Sequence, residues 1–247
     1  KAIRRFKMLI RTISGLIGFI ILALILMLPP YAVAITVLAA SIIGLFEYAR
    51  AVKNKEINVD LLVSIVAAVI INGKAYGSTL PIHLFPRLSD IFAEVFSSKY
   101  LNASLYVVIV YLFCRIIFEN GRFCLKDAAY TLLGILYIPF LLAFAVSIRN
   151  LERGLEFIWL VVIGSMITDV FAYFTGVTVG KTKIIPHISP KKTVEGSIGG
   201  ALGCMLVMIA FGAFVINRPG VEYIPIYHFA ILGLLCGVVS QLGDWAA

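Results

Sequence analysis

Residues 159–200 read WLVVIGSMITDVFAYFTGVTVGKTKIIPHISPKKTVEGSIGG. The stretch begins as an apolar segment with the length and periodicity of a membrane-spanning helix, interrupted by one acidic residue, Asp169. It then becomes polar from Lys181 onward, with lysines, two prolines, a histidine and a glutamate. From Gly196 it is apolar again and rich in glycine. We interpret it as two membrane helices joined by a basic loop, residues 181–192.

The composition around this stretch extends the membrane interpretation to the whole chain. Hydrophobic residues make up 61% of the 247 residues and charged residues 14%, against about 45–50% and about 25% in soluble domains. The mean hydropathy is +1.02. We predict an all-α, polytopic transmembrane bundle forming a single domain over residues 1–247. Eight apolar runs predict about eight spans, near 12–28, 31–46, 58–72, 101–118, 128–148, 155–175, 197–216 and 226–243.

The basic residues predict the orientation of these spans. If the N-terminus is cytoplasmic and every run crosses, 15 of the 21 Lys and Arg residues lie inside and 6 lie outside, as the positive-inside rule requires. The net charge of +8 therefore reflects topology rather than nucleic-acid binding. The same orientation places the basic loop in the cytoplasm. Residues 84–96 predict an amphipathic helix at the outer interface.

Two acidic residues are candidates for chemistry. Asp169 lies inside an apolar run, where a charged carboxylate is costly and usually faces a polar cavity or a partner. It shares one helix face with Ser165 and Tyr173, which predicts that this face is turned inward. Asp244 ends the last run, with Gln241 three residues earlier on nearly the same face. The alternatives are a structural ion pair for Asp169 and a solvated helix end for Asp244.

The end of the basic loop has the features of a phosphate site. Thr193 is predicted to cap the following helix, with Glu195 in its first turn. The free N–H groups of a helix start, next to Lys191 and Lys192, suit bound phosphate. The alternative is an ordinary basic loop that touches anionic lipid headgroups. Small residues spaced four apart then predict close helix packing: Gly196, Gly199, Gly200 and Gly203.

Carboxylates beside a cationic phosphate cradle are what metal-assisted nucleotide chemistry requires. Carboxylate oxygens hold Mg²⁺, the metal neutralises phosphate oxygens, and lysines stabilise charge on the departing group. At the cytoplasmic membrane surface, such a site would let a soluble nucleotide meet a lipid.

The segment 169–200, together with QLGD at 241–244, resembles the phosphatidate cytidylyltransferases. Their pattern runs Asp-x-x-Ala-Tyr-x-x-Gly, Gly-Lys, Ser-Pro-x-Lys-Thr-x-Glu-Gly and Gly-Gly, followed later by Gly-Asp. In this sequence the pattern falls on Asp169, Ala172, Tyr173, Gly176, Gly180, Lys181, Ser189, Pro190, Lys192, Thr193, Glu195, Gly196, Gly199, Gly200 and Asp244.

The resemblance implies a reaction and a set of roles. The phosphate of phosphatidate would attack the α-phosphorus of CTP to give CDP-diacylglycerol and pyrophosphate, with Mg²⁺ required. Asp169 and Asp244 would hold the metal and, with Lys192, form the catalytic group. Glu195 would orient Lys192 or a metal-bound water. The substrate-binding set would be Lys181, Ser189, Lys191, Lys192, Thr193 and Glu195.

The resemblance also implies a bacterial inner-membrane protein whose site faces the cytoplasm. It further implies a homodimer, which the sequence itself neither supports nor excludes. Family members continue after Gly-Asp with further basic and glycine-rich motifs, so we expect the chain to be truncated at its C-terminus. Two alternatives remain open on the residues alone. One is a related CTP-using enzyme with an ether-lipid or polyprenol acceptor, and the other is a transporter in which Asp169 couples to an ion.

Overall fold

The computed structural model describes residues 2–77, 98–119, 121–185 and 189–246, and these residues are mostly helical. They form two compact units, Lys1–Gly154 and Leu155–Ala247. The predicted helical architecture is therefore confirmed, while the single membrane domain stays a prediction. The amphipathic helix predicted at 84–96 lies outside the described residues.

The described residues of the first unit form six α-helices. Prolines lie at two of its helix boundaries. Pro30 occupies the first turn of the second helix, where its missing N–H is tolerated. Pro139 lies in a π-helical turn, Leu136–Phe140, between the last two helices. Because of that turn, one long apolar segment, Leu125–Arg149, remains nearly continuous. The helices are α1 (Ala2–Met27), α2 (Pro30–Lys53), α3 (Leu61–Gly77), α4 (Ser98–Phe118), α5 (Leu125–Ile135) and α6 (Leu141–Arg149).

Buried polar groups fix the loops of this first unit. The carboxylate of Asp127 is buried and accepts hydrogen bonds from the N–H groups of Asn58 at 2.7 Å and Cys124 at 2.8 Å. Arg115 forms ion pairs with Asp60 and Glu119. Since each of these carboxylates has a donor, the network needs no ligand to be satisfied.

In the second unit, the residues that the structure describes form three helices and a small hairpin. The helices are α7 (Gly154–Thr178), α8 (Val194–Phe211), which continues through a π-helical turn at Gly212–Ile216, and α9 (Ile226–Ala246). The hairpin strands are β1 (Lys183–Ile185) and β2 (Ser189–Thr193), paired antiparallel with Lys183 opposite Thr193. The all-α prediction missed this hairpin because the basic loop has no clear alternation of apolar and polar residues.

Glycines bring α8 close to its neighbours, as the small-residue spacing predicts. A Cβ on Gly200 would lie 2.9 Å from the carbonyl oxygen of Thr168 and from the Cβ of Ala172, both in α7. On the α9 side, a Cβ on Gly237 would lie 2.7 Å from the Cα of Ala201. The core between the three helices contains Leu160, Cys204, Met208, Ile216 and Phe229.

The lengths and surfaces of the helices agree with a membrane protein. Within the part of the chain that the structure describes, five segments are long and apolar enough to cross a bilayer: Pro30–Lys53, Leu125–Arg149, Gly154–Thr178, Val194–Ile216 and Ile226–Asp244. The same residues include three shorter apolar helices, at Ile17–Met27, Leu61–Tyr76 and Ala103–Phe118. Large apolar side chains are widely exposed, with Phe214 at 83%. Such surfaces suit contact with lipid. The count of eight spans stays a prediction.

Candidate active site

A cavity of about 550 Å³ lies within the second unit. Its walls come from α7, the hairpin, the start of α8 and the end of α9. Five of the predicted site residues line it: Asp169, Ser189, Lys192, Thr193 and Asp244. Segments separated by up to 75 positions in sequence therefore contribute to one polar pocket.

Lys192 and Asp244 are in direct contact in this cavity. The Nζ atom of Lys192 lies 2.5 Å from a carboxylate oxygen of Asp244 and donates a hydrogen bond to its main-chain carbonyl oxygen at 2.8 Å. The lysine side chain is 25% exposed and the aspartate side chain 58% exposed. Ion pairs with this much solvent access contribute only about 0–1 kcal/mol, so ligand groups can readily replace either partner.

Asp169 is the second acidic group of the cavity. It lines the same cavity as Asp244 and Lys192, so the two acids and the lysine form one charged cluster. Tyr173, one turn further along α7, also lines the cavity, in agreement with the predicted face. Ser165 lies on that helix face as well but donates a hydrogen bond to the Val162 carbonyl oxygen at 3.2 Å and is not part of the cavity wall.

The start of α8 is built as the sequence predicts. Thr193 is the N-cap, and its Oγ1 accepts a hydrogen bond from the N–H of Gly196 at 3.2 Å. This bond satisfies one of the free donors of the first turn and fixes the entry of the chain into the helix. Because Thr193 and Gly196 both line the cavity, the positive end of the helix dipole is directed at the same space.

Glu195, in the first turn of α8, binds the start of the basic loop through hydrogen bonds. Its carboxylate accepts hydrogen bonds from the N–H groups of Lys181 and Thr182, each at 3.1 Å. Glu195 was expected to orient Lys192 or a metal-bound water. In the structure, the Lys192 ammonium contacts Asp244 instead of Glu195. A substrate-binding role for Glu195 stays a prediction.

Two other predicted substrate ligands lie apart from this cluster. Lys181 binds Glu195 through its main-chain N–H, and it is not part of the cavity wall. Lys191 lies in β2, but its side chain is outside the described part of the structure. Both stay predictions as phosphate ligands.

The structure adds cavity residues that the sequence-based site did not include. Lys183 lines the cavity from β1, directly opposite Thr193, and paired residues of an antiparallel ladder project to the same face. Lys183 could have been included in the predicted site if the hairpin had been predicted from the sequence. Gln241 also lines the cavity. Its position three residues before Asp244, on nearly the same helix face, is the sequence signal from which it could have been included.

The donor set of the cavity fits a divalent cation. Two carboxylates, from Asp169 and Asp244, face one space, and Mg²⁺ sites commonly use one or two carboxylates with the remaining positions filled by water and substrate phosphate. Among the described residues, no group of three or more His, Cys, Asp or Glu side chains that could hold a metal is found.

The acids, lysines and helix N-terminus line one cavity of a helical protein with apolar, membrane-type segments, and their charges suit an anionic ligand. Comparison with known proteins assigns the chain more specifically: it belongs to the Cytidylyltransferase family, which it matches over residues 9–247. It is 28% identical to the phosphatidate cytidylyltransferase of Bacillus subtilis (strain 168), covering 95% of this chain and 80% of that protein. It is 30% identical to the phosphatidate cytidylyltransferase of Staphylococcus aureus (strain COL), covering 96% and 82%. The predicted family resemblance is confirmed.

Proposed function

We propose that this chain is a phosphatidate cytidylyltransferase, which condenses CTP with phosphatidate to give CDP-diacylglycerol and pyrophosphate. The observation that carries the proposal is the meeting of Asp169, Lys192 and Asp244 in one cavity at the N-terminus of α8. Family membership and the names of the relatives support the substrates.

The reaction is a substitution at phosphorus. A phosphate oxygen of phosphatidate forms a bond to the α-phosphorus of CTP, the bond from that phosphorus to the bridging oxygen of the β-phosphate breaks, and pyrophosphate leaves with the electron pair. Negative charge grows on the leaving oxygens, so cationic groups placed there lower the barrier. Lys192 and Lys183, both lining the cavity, are the groups that supply this charge.

The contact between Lys192 and Asp244 gives the site a way to accept its ligands. Without substrate, each charge is neutralised by the other. When a triphosphate enters, the ammonium of Lys192 exchanges the carboxylate for phosphate oxygens, and the Asp244 carboxylate becomes free for a cation. The weakness of a partly exposed pair keeps this exchange inexpensive.

Asp169 and Asp244 would hold Mg²⁺, the cofactor implied by the family resemblance. The metal would neutralise phosphate oxygens and align the attacking and leaving groups. Thr193 and Ser189, at the start of α8 and in β2, line the cavity and would give the triphosphate hydroxyl or main-chain contacts. Lys181, Lys191 and Glu195 complete the proposed substrate-binding set.

We place the protein in a bacterial inner membrane with eight spans and a cytoplasmic N-terminus. The distribution of Lys and Arg supports this orientation, and it puts the cavity on the side where CTP is present. The homodimer implied by the resemblance is part of the same proposal.

The test is a substrate panel with the purified full-length protein in lipid micelles. We expect pyrophosphate release that requires both CTP and phosphatidate together with Mg²⁺. Turnover with a polyprenol or an ether lipid in place of phosphatidate would favour the related enzyme, and ion transport in liposomes without CTP turnover would favour the transporter. Either result would contradict the proposal.

A further inference from the structure

Gln241 has an unusual combination of burial and position for a polar side chain. It is only 7% exposed, yet it lines the cavity that holds Asp169, Lys192 and Asp244. A glutamine buried to this degree needs partners for two N–H groups and one carbonyl oxygen. Which of these groups are already bound determines what the side chain can offer to a ligand.

Both N–H groups of the amide are committed to the protein. The Nε2 atom of Gln241 donates to the main-chain carbonyl oxygens of Ser197 in α8 and Gly237 in α9, each at 2.9 Å. Turning the amide over would place its oxygen against two carbonyl oxygens, which repel it. The orientation is therefore fixed by chemistry, and Oε1 is the only polar atom of the side chain that remains available.

Within the described part of the chain, no hydrogen bond to Oε1 of Gln241 is found. The atom is a neutral acceptor with no donor function. Phosphate oxygens are acceptors too, so they do not bind here. The groups of a ribonucleoside triphosphate that can bind an acceptor are the ribose hydroxyls and, in cytosine, the exocyclic amine.

The position of Gln241 along α9 favours the base. It lies three positions before Asp244, about 4.5 Å along the helix axis, and so on the side of Asp244 away from the helix end. Phosphate-binding charge comes from Lys183, Lys192 and the capped start of α8. A nucleotide whose phosphates occupy that charged end can reach past Asp244 with its base.

We propose that Oε1 of Gln241 accepts a hydrogen bond from the exocyclic amine of cytosine and so selects CTP over UTP. The inference rests on the proposed function. Uracil carries a carbonyl oxygen where cytosine carries the amine, so two acceptors would face each other with UTP. Once a bound base covers Oε1 and excludes water, an acceptor that faces no donor is destabilised, which makes the contact selective.

The experiment compares nucleotides in the full-length protein and in Gln241→Met, which preserves the side-chain length without polar atoms. Three nucleotides are assayed with phosphatidate: CTP, UTP and the pyrimidinone triphosphate that has only hydrogen in place of the amine. In the unaltered protein we expect kcat/KM for CTP to exceed that for each of the other two by about 10- to 100-fold. In Gln241→Met we expect both preferences to fall to about threefold or less.

The matched control is Val239→Ala on the same helix, at a side chain 63% exposed and outside the cavity wall, which should retain the full preference. A purely structural role for Gln241 would lower turnover of all three nucleotides equally and leave the preference unchanged, which would overturn the inference. Equal use of CTP and the pyrimidinone nucleotide by the unaltered protein would overturn it without any variant. If the unaltered protein fails to turn over CTP at all, the proposed function fails together with the inference.

Discussion

Lys192 is the residue on which the candidate site depends most. Its ammonium contacts a residue 52 positions away in sequence, because Lys192 lies in β2 and binds both the carboxylate and the main-chain oxygen of Asp244 in α9. It therefore brings positive charge to the cavity at a point where a carboxylate is close by. A lysine in this position can serve either partner, phosphate or carboxylate, depending on what the cavity contains.

Replacement of this lysine is expected to remove activity while leaving the fold intact. Lys192→Ala should lower kcat/KM for CTP by about 100- to 1,000-fold, because a cationic group that stabilises the leaving phosphates is lost. Pyrophosphate release with phosphatidate measures the effect. The control is Lys53→Ala, at an exposed residue at the end of α2, which should retain activity. Unchanged turnover in Lys192→Ala would exclude the basic loop from the site.

Removal of the Asp244 charge is expected to change the response to metal. In Asp244→Asn, the Mg²⁺ concentration for half-maximal activity should rise about tenfold or more, because an amide oxygen is a weaker ligand for Mg²⁺ than a carboxylate. The matched control is Glu47→Gln, at an exposed acid in α2. An Mg²⁺ titration of Asp244→Asn that superimposes on that of the unaltered protein would refute the assignment as a ligand.

At the level of elements, the site depends on how closely α8 approaches α7 and α9. Gly200 illustrates this, because a Cβ at this position would lie 2.9 Å from atoms of α7 and 3.2 Å from Nε2 of Gln241 in α9. The glycines at the start of α8 thus hold the three helices at the separation that places Asp169 and Asp244 in one cavity. Packing and site geometry are consequences of the same small residues.

A side chain at Gly200 should therefore destabilise the second unit. We expect Gly200→Ala to lower the free energy of unfolding by about 1–3 kcal/mol, because the backbone of α7 cannot move aside without loss of packing. Thermal denaturation in detergent measures this loss of stability. Gly18→Ala in α1 is the control, since nothing lies within 4 Å of a Cβ there, and it should melt at the same or a slightly higher temperature. Equal melting temperatures for Gly200→Ala and the unaltered protein would contradict this packing.

The same elements show what the sequence could and could not predict. Apolar runs, the Thr193 cap and the glycine spacing are local patterns, and the structure contains the corresponding helices, cap and close contacts. The hairpin depends on pairing across the basic loop, and the contact between Lys192 and Asp244 depends on the fold of the whole second unit. Such long-range contacts leave no periodic signal, so Lys183 was not included in the predicted site.

For the whole molecule, the central feature is its relation to the membrane. Exposed apolar side chains cover the long helices of both units, and the polar cavity is formed where α7, α8 and α9 begin or end. A soluble nucleotide and a membrane lipid can meet only if this end of the second unit lies at a bilayer surface. The proposed orientation places it at the cytoplasmic surface.

Labelling of single cysteines tests the orientation. In a background with the four native cysteines replaced, Glu222→Cys, between α8 and α9, should react with a membrane-impermeant maleimide in intact cells. Lys53→Cys, at the end of α2, should react only after the membrane is disrupted, because it lies on the cytoplasmic side of the predicted topology. Labelling of Lys53→Cys in intact cells would reverse the orientation and place the cavity away from cytoplasmic CTP.

The most direct test of the proposed site is a structure of the full-length protein with a non-reactive CTP analogue and Mg²⁺. We expect phosphate oxygens within about 2.7–3.2 Å of the Nζ atoms of Lys183 and Lys192, with the carboxylates of Asp169 and Asp244 at the metal. A nucleotide bound elsewhere in the protein, or one bound with both lysines and both carboxylates turned away from its phosphates, would contradict it.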